Sequence, residues 1–301
     1  MELENFLSQS YCKNDRTKSL IKWAGGKGRV LKSLSPYLLS DNFYGKNRFI
    51  EPFCGSMTVS LFINHPCMLL NDKNRNLINF FEQVKSNPLK LHKKIDKLKN
   101  EYNGLDKELK SKFYYGVRDK YNEQYMVSGN GITNAAYFWF LNKTGFNGMY
   151  RETKDGKFNI PFGERDCPDI DFEHINEVAR IINNATLSSL NFDSFCNCVT
   201  EGDAIYLDPP YLPYSETSNF NSYLGKGFDV ELHIKLATIM KRLSRKGVSV
   251  LMSNSKSLLT EEIYGKLKGF DFESIMVSRS ISAKSESRQK AGELIIANFK
   301  P

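Results

Sequence analysis

One short run of the chain has chemistry in every residue type: Asp208-Pro209-Pro210-Tyr211, which follows the apolar stretch Ala204 to Leu207. The two prolines restrict φ and carry no N–H, so the turn is stiff and its carbonyls face no competing local amide donors. The Asp208 carboxylate and the Pro209 carbonyl then form an acceptor pair suited to an exocyclic amino group. Such a nitrogen is a poor nucleophile because its lone pair is delocalised into the ring. Two acceptors on its hydrogens favour a more tetrahedral atom and aim the lone pair at an electrophile. Tyr211 adds an aromatic face on which a flipped base can stack. Asp-Pro-Pro also occurs in plain surface turns, but a buried strand before it and a tyrosine after it argue against that reading.

A second constellation lies upstream, in FIEPFCGSMTVS, Phe49 to Ser60. A strand ending in Glu51-Pro52-Phe53, then Cys54-Gly55-Ser56 and a helix start, forms the kind of turn that brings backbone close to a nucleoside. The next strand ends at Asp72, about twenty residues on, where an acid can accept hydrogen bonds from both ribose hydroxyls; the competing role is a helix N-cap. KWAGGKGRV, Lys22 to Val30, invites comparison with a phosphate loop and fails it. Gly28 follows Lys27 where Ser or Thr is required, and Ile21 stands where the first glycine should be. A glycine turn flanked by Trp23 and Lys27 can still shape a pocket.

Alternating strands and helices must hold these residues. The pattern predicts a helix from Lys27 to Leu39, a strand at Arg48 to Ile50, a helix from Thr58, a strand at Met68 to Asn71 and a helix from Arg75 to Val84. After a mainly helical middle, alternation resumes with a strand at Ala204 to Leu207, a helix from Asp229 to Leu243, and strands at Val248 to Met252, Phe272 to Val277 and Leu294 to Phe299. Within the middle, Asp155-Gly156 in RETKDGKFNI is a hairpin signal, since both residues tolerate positive φ. The fold class that follows is α/β, a doubly wound sheet interrupted by a mainly helical insertion that carries a β-hairpin.

Composition narrows the function classes. The 301 residues carry a net charge of +8, which suits a polyanionic partner. Lys85 to Lys120 holds more than twice as many Lys and Arg as Asp and Glu, a pattern that equally describes a solvated helix face. A second basic cluster is Arg279, Lys284, Arg288 and Lys290. The six cysteines form no C-x-x-C pair and read as free thiols, and the four histidines show no ligand spacing, so no metal is expected. No apolar run reaches membrane-helix length and the first residues lack an apolar signal segment, so a cytoplasmic protein without membrane contact is expected.

DPPY at Asp208 to Tyr211, EPFCG upstream and KWAGGK near the N-terminus together resemble the S-adenosylmethionine-dependent adenine-N6 DNA methyltransferases. More narrowly, they resemble the Dam family that acts on GATC. The likeness runs from Lys22 to about Leu294 and includes Asn142 to Gly163, Leu212 to Tyr223, Val250 to Asn254 and Ser278 to Ser282.

The resemblance implies a Rossmann-like methyltransferase sheet, with residues 1–87 and 199–301 as the catalytic domain and 88–198 as an inserted target-recognition domain. It implies S-adenosylmethionine as cofactor, double-stranded DNA as partner and base flipping. By it, Trp23, Lys27, Glu51, Phe53, Gly55, Asp72 and Asp208 line the cofactor region, and Asp208, Pro209, Pro210 and Tyr211 carry catalysis. Lys22 and Arg151 would contact guanines, as Lys and Arg can at O6 and N7. Phe146, Asn147, Met149 and Pro161 would enter the groove and help expel the adenine, Lys143 would touch a phosphate, and Arg165 lies near the outer base pair.

Two departures stand out: Met57 occupies the place of the family's second glycine, and Glu164-Arg165 varies the end of the recognition segment. The other readings of the sequence are an RNA adenine-N6 methyltransferase and a catalytically silent DNA-binding regulator. A monomer is expected, since one adenine is handled at a time.

Overall fold

The computed structural model describes residues 17–127, 131–211, 228–277 and 291–301, with side chains at 124–127, 277 and 291 excepted. The segments Leu212 to Tyr223 and Ser278 to Ser282, the cluster Arg279, Lys284, Arg288 and Lys290, and Cys12 lie outside the described residues.

Among the described residues, seven strands form one sheet: β1 (Phe49–Glu51), β2 (Met68–Asn71), β3 (Ala185–Ser188), β4 (Ala204–Leu207), β5 (Ser249–Ser255), β6 (Asp271–Val277) and β7 (Ala291–Ala297). Their order is β3-β2-β1-β4-β5-β7-β6. The pairs from β3 through β5 are parallel, with Phe49 opposite both Met68 and Ala204. Strand β7 runs antiparallel to both its neighbours, β5 and β6. The sheet is therefore mixed, with β7 the reversed strand.

The main helices are α1 (Leu31–Leu38), α2 (Thr58–Ile63), α3 (Arg75–Ser86), α4 (Pro88–Asn103), α5 (Lys107–Val127), α6 (Ile132–Thr144), α7 (Phe172–Ile181), the single turn α8 (Phe192–Phe195), α9 (Val230–Arg245) and α10 (Leu258–Tyr264). Strand residues alternate between two cores, as a pleated strand must. Phe49, Tyr206 and Leu251 face one core, which includes α1, α3, α4, α6 and α7. Ile50, Ile205, Val250 and Met252 face the other, with α8, α9 and α10. The starts of α3 and α9 are sealed by Asn74 and Asp229, whose side chains accept the N–H of Leu77 and Leu232 at 3.0 Å each.

The α/β expectation is borne out, with corrections. The predicted first helix divides into a 3₁₀ turn, Lys27–Arg29, and α1. Strand β3 was not expected, because Ala-Thr-Leu-Ser is short, and it holds an edge position with only Ala185 buried. It pairs with β2, so the sheet resumes inside the 88–198 segment rather than at Ala204.

The hairpin forms with a different turn from the one Asp-Gly suggests. Thr153 N–H bonds Lys157 C=O at 2.8 Å around a three-residue loop, and only Gly156 has positive φ, at 79°. Its N–H bonds back to Thr153 C=O at 3.0 Å, the geometry of a turn ending in a left-handed residue. In the lysine-rich α4 and α5, Lys99 pairs with Asp96 and Asp169, Lys107 with Glu164 and Lys110 with Asp166. Much of that charge is thus matched by neighbouring acids.

Candidate active site

Progress across the sheet reverses between β1 and β4: β2 and β3 lie to one side, β5, β7 and β6 to the other. At such a switch point the connections diverge and leave a crevice at the carboxyl ends of the strands. A cavity of about 780 Å³ sits there, lined by the 23–27 turn, the ends of β1, β2 and β4, and the segment 190–193.

Glu51 closes β1 and is almost fully buried, with the Ser60 hydroxyl donating to it. Burial, with the Asp208 and Asp72 charges nearby, holds its carboxyl well above the ordinary carboxylate value. The turn that follows needs glycine at Gly55: φ is +46°, and a Cβ there would meet the Trp23 ring at 3.0 Å. Met57, at the family's second glycine position, has φ 57° and ψ 24°. The left-handed backbone is therefore kept by a residue with a side chain, which costs about 1 to 2 kcal/mol. Complete burial of that side chain offsets the strain.

Asp72 follows β2, and its two oxygens accept the N–H of Gly55 at 3.1 Å and of Asn74 at 2.9 Å. It buttresses the Gly55 turn while keeping lone pairs toward the cavity, and burial raises its carboxyl above the ordinary value. The helix cap next to it is Asn74, so Asp72 is not spent as the cap itself.

Asp208 follows β4 and pairs with Lys27 at 2.7 Å. Lys27 is buried, donates also to Gly25 C=O at 3.0 Å, and stands 4.7 Å from the Tyr211 ring centre. Ser253 completes the cluster: Tyr206 lies 2.6 Å from its hydroxyl, and Ser253 also favours the charged form of Asp208. Burial lifts the Asp208 carboxyl to about 6, with Lys27 pulling against the rise and Glu293 adding to it.

The prolines are anchored from behind. His233 Nε2 lies 3.1 Å from Pro210 C=O and Nδ1 lies 2.7 Å from the Tyr264 hydroxyl. A carbonyl only accepts, so Nε2 carries the proton and Tyr264 donates to Nδ1. Burial depresses His233 to about 4, which keeps the ring neutral and the tautomer defined.

The residues expected to recognise DNA meet the 23–27 turn through Asn142. Its side chain accepts Lys22 N–H at 2.9 Å and donates to Lys22 C=O at 2.7 Å and Gly148 C=O at 3.3 Å. Trp23 packs 5.1 Å from Tyr150, so Lys22 and the 146–151 segment are brought together. Phe146 and Met149 are exposed apolar residues, and Asn147 between them holds φ 55°. Phe146 N–H bonds Pro161 C=O at 2.9 Å, placing Pro161 beside it. Arg151 is exposed and oriented by Asn159 Oδ1 at 2.8 Å. Lys143 is half-buried with its ammonium 5.5 Å from the Trp139 ring, and burial lowers its pKa. Arg165 is placed by a different element, its carbonyl accepting from the Tyr102 hydroxyl of α4 at 2.6 Å.

The strand order and the carboxyl-edge crevice fit a Rossmann-like methyltransferase fold. A family model described as D12 class N6 adenine-specific DNA methyltransferase matches residues 23–281, and the chain belongs to that family. A type II methyltransferase of Lactococcus lactis subsp. cremoris, M1.LlaDCHI, is 34% identical over 281 residues, covering 92% of this chain and 94% of that one. M.MjaIII of Methanocaldococcus jannaschii, also a type II methyltransferase, is 31% identical over 290 residues, 94% of this chain and 99% of its own. The DNA adenine methylase of Escherichia coli (strain K12) is 30% identical over 292 residues, 95% and 96% of the two chains. The protein is thus an enzyme that methylates adenine N6 in DNA. Among the described residues, no helix is long and apolar enough to cross a membrane.

Several residues at the site carry no local signal. Asn71 is completely buried; its amide donates to Pro52 C=O and Leu190 C=O at 3.0 Å each and accepts Leu190 N–H at 2.8 Å. It ties together the turns after β1, β2 and β3. Leu190, Phe192 and Asp193 line the cavity because β3 delivers them, and without that strand they read as loop. Ser253, Glu293, His233 and Asn142 act across long sequence separations.

Proposed function

We propose that the chain binds S-adenosylmethionine in the carboxyl-edge cavity and methylates the N6 of an adenine flipped out of duplex DNA, in the site GATC, acting as a monomer. The observation that carries this reading is Asp208, set beside the cavity by Lys27 at 2.7 Å, with the rigid Pro209 next to it.

The residues around the cavity fit the cofactor. Gly55 makes a cradle that any Cβ would fill, and Asp72 retains acceptor capacity suited to ribose hydroxyls. Phe53 and Phe192, 5.4 Å apart, supply aromatic surface for a purine. Trp23, Lys27 and Glu51 complete the wall. When bound, S-adenosylmethionine supplies an electrophilic methyl group on a sulfonium cation, and a site rich in carboxyls suits that charge.

The chain's own part is positioning. Asp208 and the Pro209 carbonyl accept from the two N6 hydrogens, which localises the nitrogen lone pair and shares its developing positive charge. Tyr211 stacks on the flipped base. The proton leaves to solvent after transfer, so the neutral, buried His233 is not required as a base. Lys22 and Arg151 read guanines, Phe146, Asn147, Met149 and Pro161 enter the groove, and Lys143 and Arg165 support the contact. Apart from Lys22, the recognition residues come from within 88–198, the segment proposed as the target-recognition unit.

The test is incubation of the purified protein with S-adenosylmethionine and unmethylated plasmid, followed by mapping of modified bases in every sequence context. N6-methyladenine confined to GATC is the expected result. The same base at another site would remove the GATC assignment, and an RNA preference in competition would remove the duplex-DNA one.

A further inference from the structure

Tyr211 is held on more than one side. Its hydroxyl donates to the Glu293 carboxylate, 2.8 Å from one oxygen and 3.0 Å from the other. The Lys27 ammonium stands 4.7 Å from its ring centre, and the carbonyl just before it accepts from His233 at 3.1 Å. Glu293 reaches this place through topology. β7 runs antiparallel to the strand beside it, with Glu293 opposite Ser255 at the end of β5. The reversed strand thus brings its own beginning to the edge where the parallel strands end. A parallel strand in that position would present its last residues there instead.

We propose that Glu293 is a positioning residue for methyl transfer: it tethers the Tyr211 hydroxyl and so fixes the place at which the ring meets the flipped adenine. The inference rests on the reading of Tyr211 as the base-stacking platform. Stacking needs only a π-face, which phenylalanine also offers; the hydroxyl has work to do only if the ring must be held. The prolines before it stiffen the main chain but leave both side-chain torsions of Tyr211 free. The hydroxyl oxygen lies on the Cβ–Cγ axis, so a hydrogen bond there to a carboxylate pins the swing of the ring about Cα–Cβ, while the Lys27 ammonium against its face bears on the ring's own rotation. Displacing a reacting group by about 1 Å can cost on the order of 100-fold in rate, so orientation of the platform is worth restraining.

The experiment compares Y211A, Y211F, E293A, E293Q and the double variant Y211F/E293A by single-turnover methylation of a duplex substrate, alongside S-adenosylmethionine affinity and melting temperature. A parallel set of duplexes carries 2-aminopurine at the target position. Y211F and E293A should each slow transfer by about 10- to 100-fold with little change in cofactor affinity. The double variant should be no slower than the slower single one, because both remove the same contact. E293Q should stay within about fivefold of wild type, since its amide oxygen still accepts from the hydroxyl. In the E293A and Y211F complexes 2-aminopurine should be brighter than with wild type, as a base that stacks poorly loses its quencher.

Multiplying defects in the double variant, or wild-type rates for E293A and Y211F while Y211A is inactive, would overturn the tether and leave the platform standing. Wild-type transfer by Y211A would remove the platform itself, and the tether with it. Y211F deletes a single oxygen from a half-buried side chain, so the test holds even if E293A folds poorly.

Discussion

Asp208 has two demands on it that pull against each other. In the role proposed for it the ionised form is the stronger acceptor for an amino group, yet burial lifts its carboxyl to about 6. Methylation should therefore fall as pH drops, with kcat/KM half-maximal near pH 6 and level above pH 7. Lys27 is what keeps the value from rising further, so K27M should move the half-point upward while lowering the rate. A profile flat from pH 5 to 8 would mean that Asp208 does not titrate in the functional range.

His233 presents the opposite sign. Its folded value is depressed to about 4 by burial, against about 6.5 when unfolded, despite Asp229 and the Pro210 carbonyl pulling it up. The stability it permits is fully present above pH 6.5 and is lost as pH falls toward 4, by about 2 to 3 kcal/mol. Denaturant unfolding of wild type and H233Q at pH 7 and pH 4.5 should show a smaller acid loss in the variant, and equal losses would contradict the assignment.

At the scale of elements, the two ends of the sheet serve different purposes. The amino end is pinned by Arg48, which precedes β1 and grips the buried Asp203 before β4 through Nε at 2.8 Å and a terminal nitrogen at 2.6 Å. The carboxyl end is pinned by Asn71, which holds the turns that line the cavity. R48A strands a buried carboxylate that still has Thr200 as a donor, and should cost about 2 to 4 kcal/mol in unfolding while leaving cofactor affinity near wild type. N71A should cost about as much through unsatisfied backbone groups, and weaken S-adenosylmethionine binding as well. Calorimetric titration beside denaturation separates the two, and an R48A protein that bound cofactor poorly would refute this division.

Across the whole molecule, the proposed function requires the DNA-reading residues to be joined to the cavity in which transfer is proposed. Asn142 makes that joint: on α6, it bonds both sides of the Lys22 peptide and the Gly148 carbonyl. Gly148 is forced by the same closeness, since φ is +63° and a Cβ would meet the Lys22 side chain at 2.7 Å. N142A should loosen Lys22 from the 146–151 segment. The expected outcome is weaker DNA binding and relaxed site preference, read by mapping methylated sites, with cofactor affinity retained. Unchanged DNA affinity and preference would show that the joint does not serve recognition.

The stiff Asp-Pro-Pro turn at the end of β4, the glycine turn and the buried runs of β1, β2 and β4 were legible in the sequence because each depends on neighbours within a few residues. Proline stiffness, the left-handed demand at Gly55 and a continuous apolar strand are local properties. By themselves they determined the α/β class and the kind of chemistry. Strand β3 escaped because an edge strand buries too little to leave a pattern, and the reversal of β7 between β5 and β6 has no sequence mark at all. Tertiary structure alone decided that Glu293 meets Tyr211, that Ser253 meets Asp208, and that Asn71 and Asn142 each hold distant loops. Those partners are set by which strands lie side by side, and side-by-side placement is a property of the packed sheet as a whole.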